Sequence, residues 1–119
     1  MNRILIIDND VLIRWSLERI LTQEGYVIDT AATTEDAYAF LRRNDYKILF
    51  IDVQINETEN IHALIKIKEL QPALQIVILS AHPANQIKPL LESVNIYAII
   101  EKPFKAEQIK SLTKDIFKG

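Results

Sequence analysis

The sequence predicts a three-layer α/β fold: a five-stranded parallel sheet in the order 2-1-3-4-5, with five helices spread over its two faces. Three observations lead there. Short apolar runs and longer stretches of helical period alternate five times along 119 residues, which is the pattern of repeated βαβ units. The run Ile48-Leu49-Phe50-Ile51 is apolar without interruption and stops at Asp52, as in a strand covered on both faces of a parallel sheet. With right-handed crossovers and two helices against three on the faces, 2-1-3-4-5 is the economical order, and its switch point falls between strands one and three.

Arg3 to Ile7 forms the first strand and ends at Asp8-Asn9-Asp10, an acidic tip from which a helix can start. That helix, about Val11 to Glu24, puts Ile13, Leu17, Ile20 and Leu21 on one stripe of 3.6 period, and Gly25 is its stop. Tyr26 to Thr30 is the second strand. Thr33-Thr34-Glu35-Asp36 supplies the hydroxyl and acids that open a second helix, which carries Ala37, Phe40 and Leu41 inward and ends near Asn44. Lys47 to Asp52 is the third strand. After a polar loop, a third helix runs from about Glu59 to Leu70 with Ile61, Leu64 and Ile65 inward, and Pro72 keeps it from running on.

Gln75 to Leu79 is the fourth strand, closed by Ser80-Ala81-His82-Pro83. In the fourth helix Pro89 either sits in the first turn or produces a kink, and Asn95 suits a left-handed end. Tyr97 to Ile100 is the fifth strand, Glu101-Lys102-Pro103-Phe104 a loop, and Ala106 to Phe117 the last helix, with Ile109, Leu112 and Ile116 inward.

The length suits one domain. The formal net charge is -2 and no basic run stands out, so composition makes no case for nucleic-acid binding. There is no cysteine, which excludes disulfides and thiolate chemistry and fits a reducing compartment. No apolar stretch approaches the roughly 20 residues that span a bilayer. Met1-Asn2-Arg3 leads straight into a strand pattern rather than a signal peptide. The chain is expected to be soluble and cytoplasmic, without a membrane partner.

Ligands of open α/β sheets bind outside the carboxyl ends of the strands. The predicted order brings Asp8 and Asp10 beside Asp52 there, with Ser80 and Lys102 arriving from the next two strand ends. Two carboxylates about 4 Å apart repel by roughly 4 kcal/mol at an effective dielectric near 20, so they need a cation to stay ionised together. Magnesium meets that need, because it takes oxygen ligands and keeps waters that a phosphate can replace. One carboxylate can then attack a phosphoryl group whose spreading charge the cations hold. Asp52, the single acid at its strand end, is the best nucleophile. Lys102 would pair with the phosphoryl oxygens and the Ser80 hydroxyl would donate to one of them.

These residues resemble the receiver domain of two-component response regulators, in order and approximate spacing, over the whole chain: acids after strand one, Asp after strand three, Ser-Ala after strand four, Lys-Pro-Phe after strand five. Ile13-Arg14-Trp15, Leu17-Glu18-Arg19 and Glu101-Lys102-Pro103-Phe104 look most like the nitrogen-regulation class. The resemblance implies a flavodoxin-like fold in which Asp52 takes phosphate from a sensor histidine kinase and Ser80 and Lys102 report its arrival. It implies magnesium on Asp8, Asp10, Asp52, Asn9 and the backbone carbonyl of Gln54. It also implies a cis Lys102-Pro103 bond and modulating roles for Gln54, His82, Ile99 and Pro103. Receivers of this class precede an ATPase and a DNA-binding domain, so the chain reads either as residues 1–119 of a longer regulator or as a stand-alone receiver. Homodimers through the fourth helix, fifth strand and fifth helix are common in the family.

The chain departs from the family pattern at four places. Asn9 stands where a second acid usually touches the metal; its carbonyl can bind but brings no charge, so weaker affinity is expected, partly compensated by Asp10. Asn56 and Asn60 replace Pro and Gly in the loop after Asp52, which predicts a less rigid or differently set loop. Ile99 takes the place of a Tyr or Phe that rotates inward on phosphorylation, and Tyr97 lies on the same strand face.

Singly, the residues have plainer readings: Asp8 and Asp10 as helix caps, Ser80 as a turn former, Lys102 and His82 as solvated surface groups. His62 reads as uninvolved, and Trp15 and Phe40 as packing, Trp15 at a contact surface. Two rival functions follow from the residues. The departures fit a degenerate receiver that binds a partner without being phosphorylated. Ile6-Ile7-Asp8-Asn9-Asp10-Val11-Leu12 resembles the Asp-x-Asp-x-Val nucleophile motif of haloacid-dehalogenase-like phosphatases, with Asp8 as nucleophile, although that leaves Asp52 unexplained.

Overall fold

The computed structural model describes residues 2–119; Met1, on which the reading against a signal peptide partly rests, lies outside them. The chain alternates β1 (Arg3–Ile7), α1 (Val11–Gln23), β2 (Val27–Ala31), α2 (Thr34–Arg43), β3 (Ile48–Asp52), α3 (Glu59–Leu70), β4 (Gln75–Ser80), α4 (Ala84–Ile87), a 3₁₀ turn (Lys88–Leu91), β5 (Ala98–Glu101) and α5 (Ala106–Lys118). The strands are parallel in the order β2-β1-β3-β4-β5, as predicted. No helix of the described residues is long and apolar enough to cross a membrane.

The strands read as apolar runs because both faces are covered. Ile4, Ile6, Ile48, Phe50, Val77 and Leu79 pack with Leu17 and Leu21 of α1 and Ile109 and Ile116 of α5. Leu5, Ile7, Leu49, Ile51, Ile76 and Ile78 point the other way, onto α2, α3 and the α4 segment. Strand alternation thus sends successive side chains into two separate cores. All five residues of β3 are buried, so the central strand holds its final carboxylate at the edge of a rigid layer.

Helix ends follow their capping chemistry. Asp10 Oδ1 accepts from the Leu12 amide at 2.9 Å, and Thr33 Oγ1 from the Asp36 amide at 3.1 Å. Gly25, at φ +91°, takes the left-handed position that ends α1. Thr33→Ala is expected to cost about 1 kcal/mol, read as a lower urea midpoint with unchanged slope; no shift would mean that solvent serves the Asp36 amide equally well.

Some packing differs from the sequence reading. In α3 the buried residues are Ala63, Leu64 and Ile67, Ile61 packs at the margin, and Ile65 is 45% exposed; the stripe is centred one position away. Thr113 lies inside with Ile109 and Ile116, its hydroxyl bonded to the Ile109 carbonyl at 2.7 Å. Phe40 and Leu112 are only partly buried. Pro89 sits in the first turn of the 3₁₀ helix Lys88–Leu91, as one of the two alternatives has it, and that short helix follows α4, which stops at Ile87, because the proline ring cannot continue the α-helical ladder. No described residue other than Gly25 has a positive φ, so Asn95 is not the left-handed cap; the turn has already ended at Leu91. α4 begins at Pro83 without a capping side chain of its own, and Glu101 of β5 accepts from the Ala84 amide at 2.9 Å.

Candidate functional site

The carboxyl edge of the sheet collects the residues picked out in the sequence. β1 delivers Asp8 and β3 delivers Asp52, 1% and 4% exposed. Lys102, just past β5, bridges them: its Nζ donates to Asp8 Oδ2 at 2.9 Å and to Asp52 Oδ1 at 2.8 Å. The lysine is held there by its own amide, which donates to the Ser80 carbonyl at 2.7 Å, and the Lys102-Pro103 bond is cis. Residues 94 and 50 positions apart in the chain thus form one charged centre.

Each partner has further braces. Asp8 Oδ1 accepts from the Asp10 amide at 2.9 Å, and the Asp8 carbonyl accepts from Arg14 Nη1 at 2.7 Å. Asp52 Oδ2 accepts from Gln54 Nε2 at 3.1 Å, and the Asp52 carbonyl accepts from Asn60 Nδ2 at 2.6 Å. No buried side-chain nitrogen or oxygen among the described residues lacks a partner. Burial pushes the Asp8 carboxyl above its usual value; the Asp10 amide and Lys102 pull it down without cancelling that push. Burial pulls Lys102 down, but its bonds to Asp52 and Asp8 outweigh this and hold the ammonium above its ordinary value.

The remaining predicted residues are placed as follows. Asp10 is exposed, and its Oδ1 caps α1, the contact that the plain cap reading describes. Asn9 and Asp52 share a cleft of about 140 Å³ with Thr33, Glu57 and Asn60. The Gln54 carbonyl accepts from the Glu57 amide at 3.2 Å, so the loop after Asp52 closes on itself. Ser80 is fully buried and its Oγ is exchanged locally, donating to the His82 carbonyl and accepting from the His82 amide, each at 2.9 Å. Here it forms the turn that the plain reading proposed. Ile99, register partner of Ile78, is half-buried against the α3 and α4 side of the sheet, whereas Tyr97 is 47% exposed. His62 is exposed. A larger cleft of about 670 Å³, lined by Tyr46, Gln71 and Phe117 among others, lies at the opposite, amino edge of the sheet, where none of these groups arrive.

The model of the response regulator receiver domain matches residues 4–114 of this chain. The chain belongs to that family. Among curated relatives, the receiver is 28% identical over 107 residues to the DNA-binding transcriptional regulator NtrC of Proteus hauseri, covering 90% of this chain and 23% of that protein. It is 26% identical over 110 residues to the alginate biosynthesis transcriptional regulatory protein AlgB of Pseudomonas aeruginosa, covering 91% and 24%. The chain therefore spans about a quarter of the length of these relatives, which lie close to the nitrogen-regulation class. A response regulator from Thermotoga maritima superimposes with a TM-score of 0.90 at 21% identity, covering 100% of this chain and 99% of that one. NtrX from Brucella abortus superimposes at 0.87 with 27% identity, covering 98% and 27%.

Family membership does not favour the phosphatase reading built on Asp8, and the geometry agrees: both Asp8 oxygens are engaged and the side chain has 0% exposure. The degenerate-receiver reading is likewise not favoured. Three contacts were missed in the sequence. In the sequence Arg14 stands out only as part of a class signature, Asn60 only as a departure, and Glu101 only as loop and class signature. The signal for Arg14 was its spacing, one turn into a helix that starts beside Asp8. Nothing local marks Asn60 as reaching back to a strand-end carbonyl.

Proposed function

We propose that this receiver accepts a phosphoryl group from a sensor histidine kinase on Asp52. The observation that carries the reading is the single ammonium of Lys102 bridging Asp8 and Asp52 within a buried edge of the sheet. In the transfer, a carboxylate oxygen of Asp52 attacks phosphorus as the bond from phosphorus to the donor imidazole nitrogen breaks. The electron pair stays with the imidazole. Lys102, already within reach of Asp52, would hold the incoming phosphoryl oxygens, and the Ser80 hydroxyl would leave its local turn to donate to one of them.

Magnesium fits the donor set. Asp8 and Asp52 are hard oxygen ligands carrying excess negative charge, and magnesium is ordinarily bound by one or two carboxylates plus waters and phosphate. Asp8 and Asp52 would hold it, with the carbonyls of Asn9 and Gln54 completing the set, and it would neutralise charge developing on the phosphoryl oxygens. Asp10, whose amide braces Asp8 and whose Oδ1 caps α1, would add negative charge beside the ion.

The reading extends to a cytoplasmic setting, to an output domain beyond this chain, and to modulation by Gln54, His82, Ile99 and Pro103. Gln54 is supported by its amide on Asp52. A homodimer through α4, β5 and α5 is supported by the exposed Leu90 and Tyr97 on that side and by a structure, 25% identical, of a beryllofluoride-activated NtrC4 receiver domain dimer. Incubation with magnesium and a small phosphodonor, followed by intact-mass measurement, is expected to give one phosphate adduct per chain. Absence of an adduct with both the small donor and a phosphorylated histidine kinase would overturn the reading.

A further inference from the structure

The carbonyl of the acceptor residue is held by a side chain from the next helix. Asn60 Nδ2 lies 2.6 Å from the Asp52 oxygen. Asp52 is the last residue of β3, the β1 pairing having ended one residue earlier at Ile51. A main-chain carbonyl leaving a sheet still needs a donor, and Asn60, half-buried in the first turn of α3, supplies it. α3 also starts without a capping side-chain bond at Thr58, and this contact ties the beginning of α3 to the end of β3 by a hydrogen bond. The short segment between the two anchors contains Gln54, whose amide rests on Asp52 Oδ2 and whose carbonyl closes the turn on Glu57. Asn60 also lines the small cleft in which Asp52 meets Asn9 and Glu57.

We infer that Asn60 is a positioning residue for phosphoryl transfer: its amide clamps the Asp52 carbonyl and thereby sets the loop that carries Gln54 over the acceptor carboxylate. The inference rests on the phosphoacceptor reading above. The clamp acts through the backbone and leaves the carboxylate oxygens to Lys102 and Gln54. Its loss frees the loop without emptying the core, because the Asp52 carbonyl can be hydrated from the adjoining cleft. The loop then no longer keeps Gln54 over Asp52, so the reacting geometry is populated less often and water reaches the phosphorylated side chain more readily.

The test compares the unaltered chain with Asn60→Ala, which deletes the amide, Asn60→Asp, which keeps its shape but cannot donate, and Asn60→Gln, which keeps a donor. Amide hydrogen exchange over residues 53–58 reads the clamp without any phosphodonor. Adduct formation with magnesium and acetyl phosphate, and adduct lifetime after donor removal, read its effect. The Ala and Asp variants are expected to exchange faster in the loop, to form adduct about fivefold more slowly and to lose it about fivefold faster, on the scale of one hydrogen bond. Thermal midpoints should remain close to that of the unaltered chain, and Asn60→Gln should recover part of both rates. Rates within twofold of the unaltered chain in the Ala and Asp variants would overturn the inference while leaving the acceptor reading intact. Failure of the unaltered chain to form an adduct with acetyl phosphate and with a phosphorylated histidine kinase alike would overturn both.

Discussion

Asp52→Asn is expected to abolish the phosphate adduct and leave the domain folded. The amide has nearly the shape of the carboxylate, but its nitrogen lone pair is delocalised and its oxygen is a poor nucleophile. The loss is expected to be complete, because Asp8, the acid that shares Lys102 with Asp52, is not free to substitute: it has 0% side-chain exposure, with one oxygen on the Asp10 amide and the other on Lys102. Stability should change by no more than about 1 kcal/mol, since the variant loses an attraction to Lys102 and a repulsion from Asp8 of similar size. Intact mass after treatment with donor and magnesium reads the first effect, and a urea titration the second. An adduct persisting in the variant and mapping to Asp8 would move the nucleophile to β1.

Lys102→Met is expected to show the largest stability effect. It leaves two buried carboxylates facing each other without their cation, and removing one partner from a buried ionic group costs about 3 kcal/mol or more. The pH dependence gives the test its sign. In the folded protein burial holds the Asp8 carboxyl above its ordinary value of 3.8, so its bound proton contributes stability that is full below about pH 3.8 and is lost as pH rises through the folded-state value. Lys102 is raised above 10.5, so its contribution persists through neutrality and is lost only as pH rises beyond that. Deleting Lys102 removes a group that pulls Asp8 down, so Asp8 holds its proton to higher pH in the variant. The destabilisation should therefore be greatest near pH 7 and shrink as pH falls and Asp8 takes up its proton. A loss that does not change with pH would mean that the cost is packing of the lysine stem rather than charge. Adduct formation should also fall by about a hundredfold, the scale of one charge-stabilising donor.

The two experiments divide the work of the site. Asp52→Asn removes the bond-forming atom from a frame that remains, whereas Lys102→Met removes the counter-charge from acids that remain. A receiver that fails the first and passes the second would use the acceptor without the bridge.

What the sequence by itself determined is the layering and the inventory. Uninterrupted runs such as Ile48–Ile51 could be stable only with both faces covered, and the helical stripes fixed which helix sides cover them, so strand order and the five carboxyl-edge residues were legible from local pattern and crossover rules. Tertiary structure decided how those residues are used. Asp10 is read from the sequence as an acid after strand one, and the fold uses one of its oxygens to cap α1; Ser80 is read as a phosphoryl ligand, and the fold holds its hydroxyl in a turn with His82. Asn60 reads as a missing glycine until it is found on the Asp52 carbonyl. Periodicity reports burial, which each residue expresses alone. A hydrogen bond depends on where two atoms from separate elements come to rest, and only the folded chain sets that distance.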